Sequence, residues 1–239
     1  MSLTDWLVSY YKMDTGSWTT LFDSVGTNDW SINWATWTTG KINDWLSFNG
    51  SSSNINLWQP TALTNIFAWW WTYSCWVKIN TIWEVTRRFF DKGYKILFLL
   101  LNDWVNRAQF TTFTSTNPWF RRFTEIPLNE WIFVSVTWNS NTPTIAPKVY
   151  YNWVSQSISS QASQFLWTVN DAWFDFIVWN NSAGNRAFDW KTDEVWIWNR
   201  VLTSAEITEL YNNWDGLQYW QPWFWWDVTK RTNIFFKNN

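Results

Sequence analysis

The 239-residue chain contains no histidine and a single cysteine. Without histidine it cannot form the Ser-His or Cys-His pairs of many hydrolases, and it lacks the commonest transition-metal ligand. One thiol, Cys75, makes neither an internal disulfide nor a thiolate metal cluster. Carboxylates, amides, hydroxyls and aromatic rings are therefore the groups left for chemistry or binding.

Charge and long apolar runs are also sparse. Lys and Arg number 17 against 19 Asp and Glu, and charged residues make up 15% of the chain. This near-equal number of basic and acidic residues is typical neither of a nucleic-acid-binding surface nor of an acidic disordered tail. The longest apolar run, Ile96 to Leu101, is far shorter than the roughly 20 residues that span a bilayer, and no export signal is visible at the start. We expect a folded domain that neither binds nucleic acid nor inserts into a membrane.

Glycine is scarce and tryptophan abundant, with 7 and 28 residues respectively. Eight Trp directly follow Asn or Asp, where hairpin turns normally place glycine because it tolerates a positive φ: Trp6, Trp30, Trp34, Trp45, Trp104, Trp153, Trp190 and Trp214. Our hypothesis is that the source organism inserts glycine at 23 of the 28 positions by reading UGA codons as Gly. Five Trp in apolar or strand-like patterns are kept as genuine: Trp37, Trp76, Trp131, Trp138 and Trp198.

Short runs rich in β-branched and aromatic residues recur along the chain, with turn residues between them. The clearest, Trp131 to Trp138, alternates with period two and has two mostly apolar faces, which predicts an inner strand. Further predicted strands are Leu7–Lys12, Leu46–Phe48, Ile55–Leu57, Tyr73–Ile79, Phe89–Phe90, Ile96–Leu101, Ala108–Phe113, Lys148–Tyr151, Phe174–Val178 and Glu194–Trp198. Many short strands at this spacing predict an all-β sandwich of two antiparallel sheets.

One segment carries strong helix signals. Thr203 and Glu206 form a capping box, and three apolar residues follow on one face: Ile207, Leu210 and Tyr211. This predicts one short C-terminal helix of about three turns that covers a sheet. The composition indicates a single domain over residues 1–216, followed by a tail or linker stub over residues 217–239.

Several segments match known domain motifs in the right order: Leu7–Asp14, Trp34–Lys41, Trp45–Gly50, Ser74–Lys78, Glu130–Val134, Lys148–Trp153, Phe188–Arg200 and Leu202–Tyr211. Together they resemble the LamG-like jelly-roll domains of the concanavalin A-like lectin/glucanase superfamily. The family has Gly where this chain has Trp34, Trp45, Trp153 and Trp190. The resemblance implies a jelly-roll fold over about residues 5–216 and a location outside the cell or at its surface.

The resemblance also implies a site for structural calcium at the rim of the sandwich. Calcium prefers carboxylate, amide and carbonyl oxygens, which the loop from Asp23 to Asp29 offers. In the family a similar loop lies near the Asp of the "DEv" strand, here Asp193. We expect Asp23, Asn28 and Asp193 to be calcium ligands. The alternative is that Asp23 and Asn28 make Asx-turns and that Asp193 is a hydrogen-bonded rim residue.

Members of this superfamily often bind sugars, for which an aromatic face and nearby polar groups are needed. Trp119, Arg121 and Arg122 are the candidate ligand-binding residues, on what we interpret as a loop after Pro118. The alternative is that Trp119 stands at a glycine position and that the two arginines form a solvated pair.

Glucanases with this fold carry catalytic carboxylates as E-x-D-x-E on one strand face. The chain has no such triplet, and Asp193 and Glu194 are adjacent, so we expect them to point to opposite faces. The sequence favours a non-catalytic carbohydrate-binding or adhesion module of a larger surface or secreted protein, with a glycan or a surface protein as partner. The alternatives are a structural or protein-interaction module, including a virion or surface-layer component, and, least favoured, a glycoside hydrolase.

Overall fold

The computed structural model describes residues 1–57, 59, 61–80, 86–102, 104–113, 118–142, 145–162, 170–187 and 189–218. Within these residues the chain forms two antiparallel β-sheets and one short α-helix. The predicted all-β sandwich with a short C-terminal helix is confirmed, and its arrangement is that of a jelly roll. Phe188 of the Asp193 motif and the predicted tail from residue 219 onward lie outside the described residues.

The described residues form seventeen strands, one α-helix and three 3-10 turns. The strands are β1 (Leu7–Tyr11), β2 (Thr20–Leu21), β3 (Trp30–Asn33), β4 (Thr36–Thr39), β5 (Asp44–Asn49), β6 (Asn54–Leu57), β7 (Trp70–Ile79), β8 (Thr86–Lys92), β9 (Ile96–Asn102), β10 (Asn106–Phe113), β11 (Pro118–Glu125), β12 (Trp131–Asn139), β13 (Lys148–Tyr151), β14 (Val154–Ser155), β15 (Ile158–Ala162), β16 (Phe176–Val178) and β17 (Asp189–Trp198). Helix α1 is Ser204–Tyr211, and single 3-10 turns lie at Thr61–Leu63, Ile66–Ala68 and Asn212–Trp214.

One sheet has the strand order β14-β13-β12-β7-β17-β5-β4, with β1 also paired to β17. The other has the order β15-β11-β10-β9-β8-β16-β6-β3-β2. The predicted inner strand from Trp131 to Trp138 is confirmed as β12, which pairs with β13 on one side and β7 on the other. Alternate residues of each strand project into the space between the sheets, where they form one apolar core.

A second apolar layer lies on the outer face of the first sheet, under helix α1. Ile207, Leu210 and Tyr211 of the helix share this layer with six aromatic residues of the sheet: Tyr10, Trp76, Phe133, Tyr150, Trp196 and Trp198. The predicted capping box is confirmed, since Glu206 accepts from the Thr203 backbone at 2.8 Å and the Thr203 hydroxyl accepts from the Glu206 backbone at 3.3 Å. The helix has eight residues, about two turns instead of the expected three. In the described part of the chain, no helix is long and apolar enough to span a bilayer.

The first residues of the chain are fastened to the end of β17. The indole of Trp198 donates to the Leu3 carbonyl at 2.7 Å. The guanidinium of Arg200 donates to the carbonyls of Asp5 at 2.8 Å and Ser2 at 3.0 Å. These bonds form a clasp beside the Leu7–Trp198 end of the β1–β17 pair.

The segment from Trp119 to Arg122 is a strand, so the expectation of a loop there was wrong. It belongs to β11, which pairs with β10 and β15. In the sequence, Pro118 and the pair Arg121–Arg122 are residue types that are common in turns and exposed loops. The strand forms nevertheless because Trp119 and Phe123 alternate into the core and both edges of the strand find a partner.

Candidate functional site

The loop between β2 and β3 brings Asp23 and Asn28 together in nearly buried positions. Oδ1 of Asp23 accepts from the backbone N–H groups of Tyr10 at 3.1 Å and Val25 at 3.0 Å. Oδ2 accepts from the backbone and side-chain amides of Asn28 at 3.3 and 3.1 Å. The bond from Val25 is the one expected of an Asx-turn. Four donors therefore satisfy this carboxylate within the protein.

Asp193 lies in a different group, at a β-bulge. The pairing of β17 with β7 shifts register between Asp193 and Trp196, and Glu194 has a φ of 51°. Carboxylate oxygens of Asp193, Glu194 and Asp14 consequently lie within 4.8 Å of one another. The expectation that Asp193 and Glu194 point to opposite faces was wrong, because the extra residue of a bulge interrupts strict alternation. We call the group of Asp14, Asp193 and Glu194 the carboxylate cluster.

Glu194 is enclosed, with 1% of its surface exposed. One carboxylate oxygen accepts from the Tyr10 hydroxyl and the other from Nε2 of Gln218 at 2.9 Å. Gln218 also donates to Oδ2 of Asp14 at 3.3 Å. It lies beyond residue 216, where we predicted the domain to end, and it joins the segment after α1 to β17 and to the segment after β1.

Two oxygens of the carboxylate cluster accept no hydrogen bond from the described residues. Asp193 is fully buried; its Oδ2 accepts from the Ile42 backbone at 2.9 Å, while its Oδ1 is unpaired. Oδ2 of Asp14 accepts from the Asn43 side chain at 3.2 Å, while its buried Oδ1 is likewise unpaired. An unpaired buried acceptor retains its desolvation cost, so both atoms are poised to accept a proton or a positive charge.

Burial raises the pKa of every member of the carboxylate cluster. Desolvation raises the pKa of Glu194 to about 8, against the opposing effect of its hydrogen bonds. Desolvation and then the negative charge of Glu194 raise the pKa of Asp193 well above its usual range, and desolvation raises the pKa of Asp14. The charge of Lys12 acts in the other direction on Asp14 and Glu194, and Lys41 interacts with Asp193. The net effect of the site is to favour neutralisation of its carboxylates.

The three predicted ligand-binding residues are divided between the two faces of β11. Trp119 is 1% exposed and packs on Trp138 in the core, with ring centroids 6.4 Å apart. The guanidinium of Arg121 lies 4.1 Å from the centroid of the Trp119 ring, on the same face. Arg122 lies on the other face, where its Nε donates to Oε1 of Gln109 at 2.8 Å. A sugar therefore finds no open face of the Trp119 ring, and binding by this set stays a prediction.

A cleft of about 630 Å³ opens at the β13–β14 edge of the first sheet, beside the start of α1. Its lining includes the aromatic residues Tyr150 and Trp153 and the polar residues Lys148 and Asn139. Residues 201–204 complete the lining and add Thr203 and Ser204. The volume lies in the range of roughly 300–1,000 Å³ that is typical of sites for small ligands. The cleft combines rings with hydrogen-bonding groups, which suits a polar ligand with apolar faces.

Sequence reasoning missed most of these residues. Asp14 and Glu194 lie within the motifs that resemble the family, and their acidic side chains were the available signal, but the β-bulge at Glu194 leaves no mark in the sequence. Gln218 lies beyond the predicted domain boundary. The cleft is formed by residues of β12, β13 and β14 and their neighbours together with residues 201–204, and the two groups are too far apart in sequence to be associated by spacing.

A family model described as the concanavalin A-like lectin/glucanases superfamily matches residues 49–208, about two thirds of the chain. No curated protein matches the sequence.

Solved structures resemble the fold at low sequence identity. Domain 4 of an extracellular GH43 arabinanase from Geobacillus stearothermophilus, solved with arabinotriose, is 21% identical with a TM-score of 0.62; the match covers 85% of this chain and 97% of that one. The binding domain of Paraclostridial Mosquitocidal Protein 1 is 14% identical with a TM-score of 0.69, and the match covers 89% of this chain and 53% of that one. Trypanosoma rangeli sialidase is 14% identical with a TM-score of 0.65, at 89% and 34% coverage. Likeness at this identity shows the fold alone.

Proposed function

Because the chain belongs to the concanavalin A-like lectin/glucanases superfamily, we propose that it is a non-catalytic carbohydrate-binding module of a larger surface or secreted protein. The observation that carries this proposal is the cleft beside α1. Glycan recognition needs a surface for the apolar face of a sugar and several groups that bond its hydroxyls. The cleft offers both on a rigid strand edge.

The strands fix the polar groups of the cleft. Lys148 pairs with Thr137 across β13 and β12, and Tyr150 pairs with Ser155 across β13 and β14. Alternation along β13 places Lys148 and Tyr150 on the same face. Lys148 is exposed at the rim while Tyr150 is 3% exposed at the base. A sugar would therefore stack on the Trp153 ring, which is 48% exposed, and meet the Lys148 ammonium at the rim.

The comparison with the arabinanase domain supports a glycan as ligand. The match spans nearly the whole of a single domain that was solved with a short sugar chain. That enzyme is extracellular, which agrees with a location outside the cell or at its surface. Weak binding by one module gains strength when several copies or modules engage one polysaccharide.

The burial of the carboxylate cluster supports a non-catalytic role. A retaining glycosidase needs two carboxyl groups about 5 Å apart that contact the sugar. The spacing within the cluster approaches this value, but Asp193 and Glu194 are 0% and 1% exposed. A substrate would have to displace the packed rim to reach them.

The proposal is tested by calorimetric titration of the chain with arabinotriose and with a panel of oligosaccharides that includes sialylated ones. We expect binding of at least one member, with Lys148→Ala weakening it about tenfold because the exposed ammonium no longer reaches the ligand. Lys95→Ala is the matched control, since Lys95 lies near Phe174, outside the cleft, and should bind as the parent does.

Two results would overturn this function. One is absence of binding to the whole panel, with calcium and with chelator, together with tight binding to a surface protein, which would favour the protein-interaction alternative. The other is release of reducing sugar from any panel member in a way that Glu194→Gln abolishes.

A further inference from the structure

The cleft beside α1 carries charge of one sign. Among the described residues that line it, Lys148 is the one charged side chain, and neither an aspartate nor a glutamate is present there. The chain as a whole has the opposite balance, with 19 acidic residues against 17 basic ones. Because a concave site with one sign of charge raises the local concentration of counter-ions, the cleft attracts anionic ligands.

The ammonium of Lys148 is available to such a ligand. Lys148 is exposed, and it makes no hydrogen bond or ion pair with any residue that the structure describes. Other cations of the chain are engaged within the fold: Lys92 donates to the Leu63 carbonyl at 2.6 Å, and Nε of Arg122 donates to Gln109 at 2.8 Å. A ligand at Lys148 therefore does not have to compete with a carboxylate or carbonyl among these residues.

The acidic residue at the start of α1 does not cancel this charge. Glu206 lies in the first turn of the helix, outside the lining of the cleft. Its Oε1 lies 2.7 Å from Nη2 of Arg200, and its Oε2 accepts from the backbone and hydroxyl of Thr203 at 2.8 and 2.9 Å. The guanidinium of Arg200 balances the charge of Glu206, so Lys148 dominates the electrostatics of the cleft.

A second donor lies on the same face of β13. Lys148 and Tyr150 are two residues apart, so their positions are about 7 Å apart along the strand. The Tyr150 hydroxyl makes no hydrogen bond with a described residue, and desolvation raises the pKa of the phenol, which keeps it protonated. One anionic group above β13 can accept from both residues, or from Lys148 while a neighbouring sugar hydroxyl bonds to Tyr150.

We propose that the ligand of the cleft is an acidic glycan, whose carboxylate or sulfate group pairs with the Lys148 ammonium. This inference rests on the proposed function and names the class of glycan. Neutral polar residues of the lining, such as Asn139, Thr142 and Ser155, serve the hydroxyls that acidic and neutral sugars share. Lys148 therefore sets the preference between the acidic and the neutral form of one sugar skeleton.

Matched ligands separate the charge from the sugar. Trigalacturonic acid and its methyl ester share a skeleton and differ in the charge of the carboxyl groups, and both are titrated into the whole chain by calorimetry. We expect the acid to bind about fivefold more tightly, the upper range for an ion pair at an exposed rim. That preference should shrink as salt screens the charges. A chondroitin sulfate tetrasaccharide and its desulfated form, measured in the same way, distinguish sulfate from carboxylate as the recognised group.

Variants at the strand edge test whether the preference comes from the cleft. Lys148→Ala should bind an acid and its neutral counterpart equally, whereas Lys148→Arg, which keeps the charge, should retain the preference. Ser155→Asp places a carboxylate at an exposed lining position that pairs with Tyr150, and it should abolish the preference. Lys95→Ala, which removes a lysine outside the cleft, is the matched control and should behave as the parent does. Circular dichroism establishes that each variant is folded.

The outcomes separate this inference from the proposed function. It is overturned if the neutral member of each pair binds as tightly as the acidic one, or if folded Lys148→Ala keeps the preference of the parent. Glycan binding without a preference for the acidic form would leave the proposed function intact. Absence of binding to every glycan tested would overturn both.

Discussion

Two acidic sites lie on either side of Tyr10, and they use their carboxylates in opposite ways. The backbone N–H of Tyr10 donates to Asp23, whose two oxygens accept four hydrogen bonds. The hydroxyl of the same tyrosine donates to Glu194 in the carboxylate cluster, where two buried oxygens of neighbouring aspartates accept none from described residues. Proximity in the fold thus does not give the two sites the same chemistry.

The difference shows why an acidic loop is weak evidence for a metal. The loop from Asp23 to Asp29 has the composition of a calcium site, but its own amides bind its carboxylate. The carboxylate cluster has three acids, Asp14 after β1 and Asp193 and Glu194 in β17. The described backbone around it leaves one oxygen of each aspartate without a donor. Unused acceptor capacity, and not the number of acids, distinguishes the carboxylate cluster from the loop.

Among the variants that test the difference between the two acidic sites, Asp23→Ala is expected to change the free energy of unfolding most. Removing four hydrogen bonds at about 1 kcal/mol each should lower the free energy of unfolding by about 4 kcal/mol. Urea denaturation should give the same loss with calcium and with chelator. A loss that appears only with calcium present would mean that Asp23 is a metal ligand after all.

A third acidic site, at Asp171, tests the effect of burial on a carboxylate. Desolvation raises its pKa to about 6, against the opposing charge of Lys92. The folded state holds the proton of Asp171 more tightly than the unfolded state does. The contribution of protonated Asp171 to the free energy of unfolding is therefore complete below about pH 4 and is lost as the pH rises through about 6. A shift of about 2 units corresponds to about 3 kcal/mol. The difference in stability between the parent and Asp171→Asn should therefore change across this interval, and a constant difference would contradict the assignment.

Asn28→Asp would remove hydrogen-bond donors from the Asp23 carboxylate and place a second negative charge beside it. The side-chain amide of Asn28 donates to Oδ2 of Asp23 at 3.1 Å and to the Ser9 hydroxyl at 2.9 Å. A carboxylate at position 28 repels Asp23 and can donate neither bond, so we expect the free energy of unfolding to fall by about 3 kcal/mol. Asn28→Ala, which loses the same two bonds without the repulsion, should cost about 2 kcal/mol. Equal losses in thermal unfolding would show that repulsion plays no part.

The smallest effect is expected from Gln218→Ala. The variant removes one donor shared by Asp14 and Glu194, which should lower the free energy of unfolding by about 1 kcal/mol. Urea denaturation measures this loss, and an unchanged free energy of unfolding would show that the bonds of Gln218 do not stabilise the fold. Gln156→Ala provides a comparison at a glutamine outside the cluster.

The strand pattern could be predicted from the sequence because alternation in segments such as Trp131 to Trp138 follows directly from which face is buried. The capping box at Thr203 could also be predicted, from the spacing of Thr203 and Glu206. The site was harder, because a β-bulge at Glu194 cancels the alternation rule at the residues that matter. The strand at Trp119 was not predicted because Pro118 at its start indicated a turn. Its pairing with β10 and β15 is visible only in the fold.

The clasp between Arg200 and the first residues of the chain determines how the domain would respond to tension. β1 and β17 are antiparallel, so a force that pulls residues 1–6 away from Arg200 would load the bonds of Arg200 to Ser2 and Asp5 first. The strands would then peel apart pair by pair, from Leu7–Trp198 towards Tyr11–Val195, instead of shearing as a unit. Peeling would reach Asp14 last, where the side chains of Asn43 and Gln218 hold the carboxylate, so these two bonds would be the final resistance to detachment of β1.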